Sequence, residues 1–224
     1  MKTNQELKNA ALAALKEKWT PSVLATLLLF VCMFVPMTLA VFLEILLDPS
    51  LESETMSLWS ILVLYGFMFL IYYPLGMVGY YNAFKDLFRN GDENVVSNMF
   101  TGAFKPYPRA VGLSLLYMLF VFLWSLLLYI PGIIKALAYA MSPYILKDYP
   151  ELTPNQALNL SMKMMKGHKF DLFCLILSFM GWCILAVFTM GIGYLWLAPY
   201  MGTTIAAFYE DVKAEYEGKQ QIAA

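Results

Sequence analysis

The chain has 224 residues, of which 60% are hydrophobic and 14% are charged, with a formal net charge of −1 at pH 7. A soluble domain typically contains roughly 45–50% apolar and roughly 25% charged residues. The composition therefore excludes an ordinary soluble enzyme and a disordered chain, and the low charge excludes a nucleic-acid-binding protein, which needs a basic surface. The sequence predicts an all-α, polytopic membrane helical bundle.

Residues 1–19 have the pattern of an amphipathic helix. Thr3 and Glu6 have the spacing of a capping box, in which two side chains satisfy the first free amides of a helix. Trp19 follows at the position of a membrane-interface anchor. The apolar face of this helix comprises Leu7, Ala10, Ala11, Ala14 and Leu15. We expect the helix either to lie on the cytoplasmic surface of the membrane or to pack on the protein's own cytoplasmic face.

Long apolar runs fill the chain between residues 21 and 209, and a helix needs about 20 residues to cross a hydrocarbon core of about 30 Å. The predicted spans are Pro21–Leu47, Leu58–Tyr81, Ala110–Ile130, Gly132–Leu146, Leu172–Met190 and Ile192–Tyr209. The fourth span is the shortest. Pro131-Gly132, which precedes it, is either a kink in one helix or the turn between two helices.

The positions of lysine and arginine decide between these alternatives, because cytoplasmic loops carry the basic residues. With a turn at Pro131-Gly132, every Lys and Arg except Lys135 falls on the cytoplasmic side. We therefore predict six transmembrane helices arranged as three hairpins, with both termini in the cytoplasm and a cytoplasmic tail over 210–224. The sizeable outer loop is then acidic, with Asp48, Glu52 and Glu54.

A second amphipathic helix is predicted near 153–166, on the cytoplasmic side. Thr153 and Gln156 repeat the capping box, Pro154 takes the first helical position and Gly167 is a suitable stop. This helix also has the two alternatives of lying on the membrane or packing on the protein. Together these elements make residues 1–224 a single membrane domain.

The sequence offers no recognisable catalytic, cofactor or metal motif, and its one histidine, His168, has no partner motif beside it. We therefore expect a protein that is not an enzyme and that needs no cofactor. Ionisable side chains inside a membrane are the default functional candidates. Glu44 and Lys135 are the two that come closest, each near the outer boundary. They either pair and line an outward cavity or extend separately to the lipid head groups.

The fourth span, Gly132–Leu146, is a candidate for a functional broken helix. Its 15 residues cover about 22 Å, which is less than the hydrocarbon core. Pro143 lacks an amide donor, and its ring opposes the carbonyl of Tyr139. Because lipid does not tolerate a broken backbone, we expect this segment to be enclosed by spans three and five or six, or to line a cavity, with Tyr139 and Ser142 hydroxyls near the break.

Several local motifs are similar to those of one family. They are Glu6-Leu7-Lys8 with Trp19, Ile130-Pro131-Gly132-Ile133-Ile134-Lys135, the helix with Ser161 and Gly167, Gly181-Trp182, and Pro199-Tyr200. The chain thereby resembles the prokaryotic integral-membrane family catalogued as domain of unknown function 975. The resemblance implies a multi-pass bacterial membrane protein without an established activity. The family's distant similarity to membrane domains that accompany glycerophosphodiesterases implies lipid-related work by analogy.

Three classes of function remain. The favoured one is a non-catalytic protein of the bacterial cytoplasmic membrane that binds lipid, a small molecule or a partner protein, which includes a second copy of the chain. The second is a transporter or channel for a small solute or lipid, because Pro74, Pro143 and Pro199 interrupt the second helix of each predicted hairpin. An intramembrane enzyme is the third, and it needs a carboxylate or histidine cluster that the sequence lacks. Membrane lipid is the expected partner, and nucleic acid is not.

Overall fold

The structure, a computed structural model, describes residues 2–47, 57–127 and 129–223, and every regular element in these ranges is helical. The α-helices are α1 (Asn4–Leu15), α2 (Trp19–Leu47), α3 (Leu58–Phe67), α4 (Tyr81–Asn90), α5 (Val95–Phe104), α6 (Tyr107–Leu127), α7 (Tyr129–Tyr139), α8 (Ser142–Asp148), α9 (Pro154–Met164), α10 (Lys169–Leu177), α11 (Met180–Phe188) and α12 (Tyr194–Ala223). Two π-helical segments, Met68–Tyr72 and Leu75–Tyr80, join α3 to α4. The predicted acidic loop with Asp48, Glu52 and Glu54 lies outside the described residues.

Four helical stretches are long and apolar enough to cross a membrane. They are Trp19–Leu47, Leu58–Asn90, Tyr107–Leu126 and Lys169–Phe188. Large apolar side chains project from these stretches, and Phe188 is 80% exposed and Leu126 is 67% exposed. An apolar surface of this extent suits a hydrocarbon environment and not water. The predicted fourth and sixth spans are not among the four. The fourth is divided between α7 and α8, and the sixth is the first part of α12, which is long enough but not apolar enough.

The buried core lies toward one end of the long helices, the end that the sequence assigns to the cytoplasm. There α2 is buried at Ser22, Ala25 and Thr26, and α6 at Ala110 and Leu113. The short helices α1, α5, α8 and α9 pack around the same end. The long helices are therefore packed together at one end, and beyond it their apolar side chains are exposed.

Both predicted amphipathic helices are present, and both have the predicted capping boxes, at Thr3 and at Thr153. Each packs on the protein itself: α1 lies against α12 and α4, and α9 lies against α6 and α8. Lys8 of α1 donates a hydrogen bond to the carbonyl of Ser178 (3.0 Å) and lies 4.2 Å from the ring centroid of Phe179. Both amphipathic helices therefore pack on the protein's own surface, which was one of the two alternatives.

Pro74 stands between the two π-helical segments. Proline lacks an amide donor and its ring displaces the carbonyl four residues earlier, which here belongs to Leu70. The hydroxyl of Tyr107 donates a hydrogen bond to that carbonyl (2.9 Å) and so satisfies it. π-helical turns occur mostly as short insertions in α-helices and often at functional sites, which directs attention to this stretch.

We predict that Gly79→Ala destabilises the bundle, because Gly79 lets α5 contact the second π-helical segment. A Cβ at residue 79 would overlap the carbonyl oxygen of Met99 and lie 3.1 Å from the Cβ of Ala103. We expect a loss of about 1–3 kcal/mol or more. The matched control is Gly66→Ala in α3, where a Cβ meets nothing within 4 Å. Alanine at residue 66 should be neutral or stabilising, and equal thermal unfolding midpoints of the two variants in detergent would contradict the packing described.

Candidate functional site

A cavity of about 830 Å³ lies in the middle of the bundle, between α2, the π-helical segments, α6, α7, α10 and α12. Small-molecule sites typically have volumes of about 300–1,000 Å³ and walls that are apolar except for a few polar groups. This wall has that character: Leu29, Met77, Val121, Leu137 and Ile176 are representative of its apolar side chains. The polar side chains in the wall are all hydroxyls, and no lining residue carries a charge.

The π-helical stretch forms one wall of this cavity. Its lining residues are Tyr72, Tyr73, Gly76, Met77, Tyr80 and Tyr81. They recur at intervals of four residues along the chain. An α-helix has 3.6 residues per turn, so Tyr72 and Tyr81, nine positions apart, would face opposite directions in it. The wider π-helical turn, with its hydrogen bonds five residues apart, returns these positions to one face.

Hydrogen bonds within the protein hold part of the polar wall in place. The hydroxyls of Thr26 and Tyr80 are 2.9 Å apart and tie α2 to the second π-helical segment. Tyr117 of α6 donates to the carbonyl of Ala136 in α7 (3.3 Å), and Ser114 donates to a carbonyl of its own helix. These bonds fix the relative positions of the helices around the cavity.

The break predicted around Ser142 and Pro143 lies between α7 and α8, at residues 140 and 141. Hydroxyl groups satisfy the backbone there. Ser142 donates to the carbonyl of Tyr139 (2.7 Å), while Ser161 of α9 donates to the carbonyl of Ala138 (2.7 Å) and accepts from the amide of Met141 (3.2 Å). Ser161, singled out by family resemblance, therefore replaces the helical hydrogen bond that the break removes.

The segment after the break is enclosed by protein. All residues from Ser142 to Leu146 are buried, and Pro143 both occupies the first turn of α8, where no amide donor is needed, and lines the cavity. The carbonyl of Pro143 accepts a hydrogen bond from Asn82 (3.0 Å). The enclosing helices are α4, α6, α9 and α12, the last through the stacked rings of Tyr144 and Tyr209. Spans three and six are therefore neighbours of this segment, whereas α4 and α9 were not anticipated.

The structure does not bring Glu44 and Lys135 together. The Glu44 carboxylate accepts hydrogen bonds from the amide (3.0 Å) and the hydroxyl (2.9 Å) of Ser57, at the start of α3, where a negative charge is favoured by the helix dipole. Lys135 lies 4.5 Å from the ring centroid of Trp124 and 3.8 Å from the sulfur of Met162. Neither side chain lines the cavity.

The remaining residues from the family motifs have mostly local roles. Pro131 lies in the first turn of α7, and Gly167 adopts a φ of +97°, which favours glycine. Trp182 is 57% exposed on α11, and Pro199 and Tyr200 lie inside α12. Gly132 lies directly against α6: a Cβ there would be 3.0 Å from the Cα of Ser125. Of this group, Ser161 is the one that contributes directly to the break beside the cavity.

A cluster of charges, which we call the Asp148 cluster, joins α4, α8 and α12 at the packed end. Asp148 pairs with Lys85, with Arg89 (2.9 Å) and with Lys213 (2.7 Å), and it accepts a hydrogen bond from the Tyr209 hydroxyl (2.9 Å). The side chains of Lys85 and Asp148 are 1% and 6% exposed. Burial alone would raise the pKa of Asp148, but the hydrogen bonds from Arg89, Lys213 and Lys85 outweigh it and hold that pKa well below its ordinary value.

Sequence reasoning missed this cluster, because its members lie far apart in the chain. The cation spacing was the available signal: Lys85 and Arg89 are four positions apart and therefore share one face of α4. As for metals, no group of three His, Cys, Asp or Glu side chains within the described ranges is placed to hold an ion.

We predict that Asp148→Asn costs about 3–5 kcal/mol of stability, because it leaves Lys85 buried without a counter-charge. The matched control is Glu151→Gln, three residues along the chain at an exposed position, which should change stability by about 0.5 kcal/mol or less. Thermal unfolding in detergent at pH 7 measures both. Equal effects would mean that the cluster contributes nothing.

The same variant has a pH signature. Because the pKa of Asp148 is lowered on folding, its contribution is complete above the ordinary aspartate pKa of about 3.9 and decreases as the pH falls through the lowered value. The wild type should therefore lose this stability in acid, and Asp148→Asn should lack that part of the acid dependence.

The helical fold, its apolar surface and the cavity between the helices define a class: a helical protein whose long helices are compatible with a membrane. The model of one protein family, described as "Protein of unknown function (DUF975)", matches residues 115–216. This is the family that the sequence resemblance indicated, and the matched stretch includes the α7–α8 break, Asp148 and Lys213. Comparisons with curated proteins and with solved structures gave no match.

Proposed function

We propose that this chain is a multi-pass protein of the bacterial cytoplasmic membrane that binds a lipid or another apolar small molecule in its central cavity, without catalysis. The observation that carries the proposal is the cavity itself, about 830 Å³ in volume, with an apolar wall that contains hydroxyls and no charge. Cavities of this size and lining are typical ligand sites. In a bilayer, lipid is the apolar molecule present at the highest concentration.

The proposal includes six membrane crossings arranged as three hairpins, with both termini in the cytoplasm. Two contacts support a turn between α6 and α7: Gly132 lies against Ser125, and Tyr117 donates a hydrogen bond to the carbonyl of Ala136. Residues seven positions apart are separated by about 10 Å along a straight helix, so the first contact favours a turn over a kink. The distribution of lysine and arginine supports the same orientation.

Transport of a lipid or an uncharged solute is the second candidate function. The observation in its favour is that interrupted helices line the cavity, at the π-helical stretch around Pro74 and at the α7–α8 break beside Pro143. Interruptions of this kind are a feature of transporter binding sites. Neither carboxylates nor imidazoles occur among the lining residues, which is why acid–base catalysis is not part of the proposal.

We predict that filling the cavity displaces its ligand. Ala136→Trp places an indole in the wall, whereas Gly181→Trp adds the same ring at an exposed position of α11 where a side chain meets nothing within 4 Å. Native mass spectrometry of protein purified in a mild detergent should find a retained lipid in the wild type and in Gly181→Trp, but not in Ala136→Trp. Retention by all three proteins would place the lipid elsewhere, and a wild type without lipid would argue against the proposal.

Flux measurements on the same variants separate binding from transport. In proteoliposomes, a transporter should move fluorescent lipid between leaflets at a rate that Ala136→Trp lowers and Gly181→Trp leaves unchanged. A protein that binds lipid but does not transport it should retain lipid, and lipid should move between leaflets no faster than in vesicles without protein.

Reporter fusions test the orientation. We expect a reporter after residue 53, in the predicted outer loop, to be external and a reporter after residue 157, in α9, to be cytoplasmic. An external signal at residue 157 would rule out the hairpin between spans three and four, while a cytoplasmic signal at residue 53 would reverse the whole topology.

A further inference from the structure

Three tyrosine hydroxyls in the cavity wall have no hydrogen-bond partner within the described residues. They belong to Tyr72, Tyr73 and Tyr81, whereas Tyr80 and Tyr117, in the same wall, have protein partners. A phenol that is shielded from water normally finds a hydrogen-bond partner, because leaving its donor unsatisfied is unfavourable. These three donors are therefore available to a molecule inside the cavity.

The π-helical winding places the three tyrosines in one wall of the cavity. Tyr72 and Tyr73 lie at one end of the stretch, with their rings edge-to-face at 6.1 Å, and Tyr81 lies at the other end. In a regular α-helix Tyr81 would face away from Tyr72, and the two π-helical segments instead place both in the wall. The donors thus extend along one side of the cavity and are not gathered at a single point.

The charge of the wall restricts the head group that this site accepts. None of the lining residues is Lys, Arg, His, Asp or Glu. At the packed end, Lys85 and Arg89 are already engaged by Asp148. An anionic phosphate in the cavity would be a charge removed from water without a partner, which is strongly unfavourable. Neutral oxygen atoms, by contrast, accept hydrogen bonds from tyrosine hydroxyls at no such cost.

We infer that the cavity binds an amphiphile with long apolar chains and an uncharged, oxygen-bearing head group of the diacylglycerol or long-chain alcohol type, and that Tyr72, Tyr73 and Tyr81 donate hydrogen bonds to its oxygens. This inference rests on the proposed function, because it specifies the ligand of the same cavity. The apolar part of the wall, for example Leu29, Val121 and Ile176, then surrounds the chains.

Three probes test the inference: dioleoylglycerol and dioleoylphosphatidylglycerol, which share the same acyl chains, and squalene, a hydrocarbon without a head group. Each is titrated into delipidated protein in detergent, and its occupancy is measured by native mass spectrometry. We expect dioleoylglycerol to bind at least about tenfold more tightly than dioleoylphosphatidylglycerol. Tyr72→Phe and Tyr81→Phe should each weaken dioleoylglycerol by about five- to tenfold, the usual effect of losing one hydrogen bond, and leave squalene unchanged.

The controls distinguish a variant that binds weakly because it is misfolded from one that binds weakly because a hydrogen bond is lost. Phenylalanine preserves the ring, and an unchanged unfolding midpoint shows that the variant is folded. Tyr65→Phe is the matched control, because Tyr65 is 57% exposed on α3 and does not line the cavity. It should leave the affinity for every probe unaltered.

The outcomes distinguish this inference from the function on which it rests. If none of the probes binds, the proposed function fails. If all three bind alike, and the Tyr→Phe variants bind as the wild type does, the cavity is a lipid site but the inference is overturned. Tighter binding of dioleoylphosphatidylglycerol also overturns it, in favour of an anionic phospholipid.

Discussion

Within a bilayer, every backbone amide and carbonyl must find its hydrogen-bond partner inside the protein, and the architecture of this chain depends on that requirement. Regular helices meet it without help, but this bundle interrupts two of its helices. Near Pro74 the Tyr107 hydroxyl donates a hydrogen bond to the carbonyl of Leu70. At the α7–α8 break the Ser161 hydroxyl donates to the carbonyl of Ala138 and accepts from the amide of Met141. Side-chain hydroxyls thus make the interruptions tolerable, and both interruptions border the cavity.

The Asp148 cluster supplies the rigidity that interrupted helices lack. α8 contributes Pro143 to the cavity wall at its start and Asp148 to the cluster at its end. Through that carboxylate it is joined to Lys85 of α4 and Lys213 of α12. A buried ion cluster is a poor source of net stability but strongly disfavours any arrangement that separates its members. The cluster therefore determines where α8 lies, and with it one side of the cavity.

Those parts of the structure that depend on local sequence were predictable. The capping boxes at Thr3 and Thr153 and the break near Pro143 follow from residues within a few positions of each other. The long-range features were not, because Asp148 meets cations some sixty residues away in the chain on both sides. Apolar periodicity also gave no sign of the π-helical turns, since in a uniformly apolar helix an added residue per turn changes no visible pattern. The pairing of Glu44 with Lys135 was one of two alternatives and rested on membrane depth alone, which does not say which helices are neighbours.

The family match and the cavity divide the chain differently. Residues 115–216 contain the α7–α8 break, Ser161 and two members of the Asp148 cluster, which together set the frame of the cavity. The tyrosine wall at residues 72–81 lies outside the matched stretch, and so does Lys85. The two parts of the chain have separate physical roles. The residues of the matched stretch satisfy backbone groups and hold α8 in position. The tyrosines at residues 72–81 present hydrogen-bond donors to the proposed ligand. Under the proposed function, the wall can therefore change its hydroxyls, and with them its ligand, without disturbing the hydrogen bonds that keep the broken helix in place.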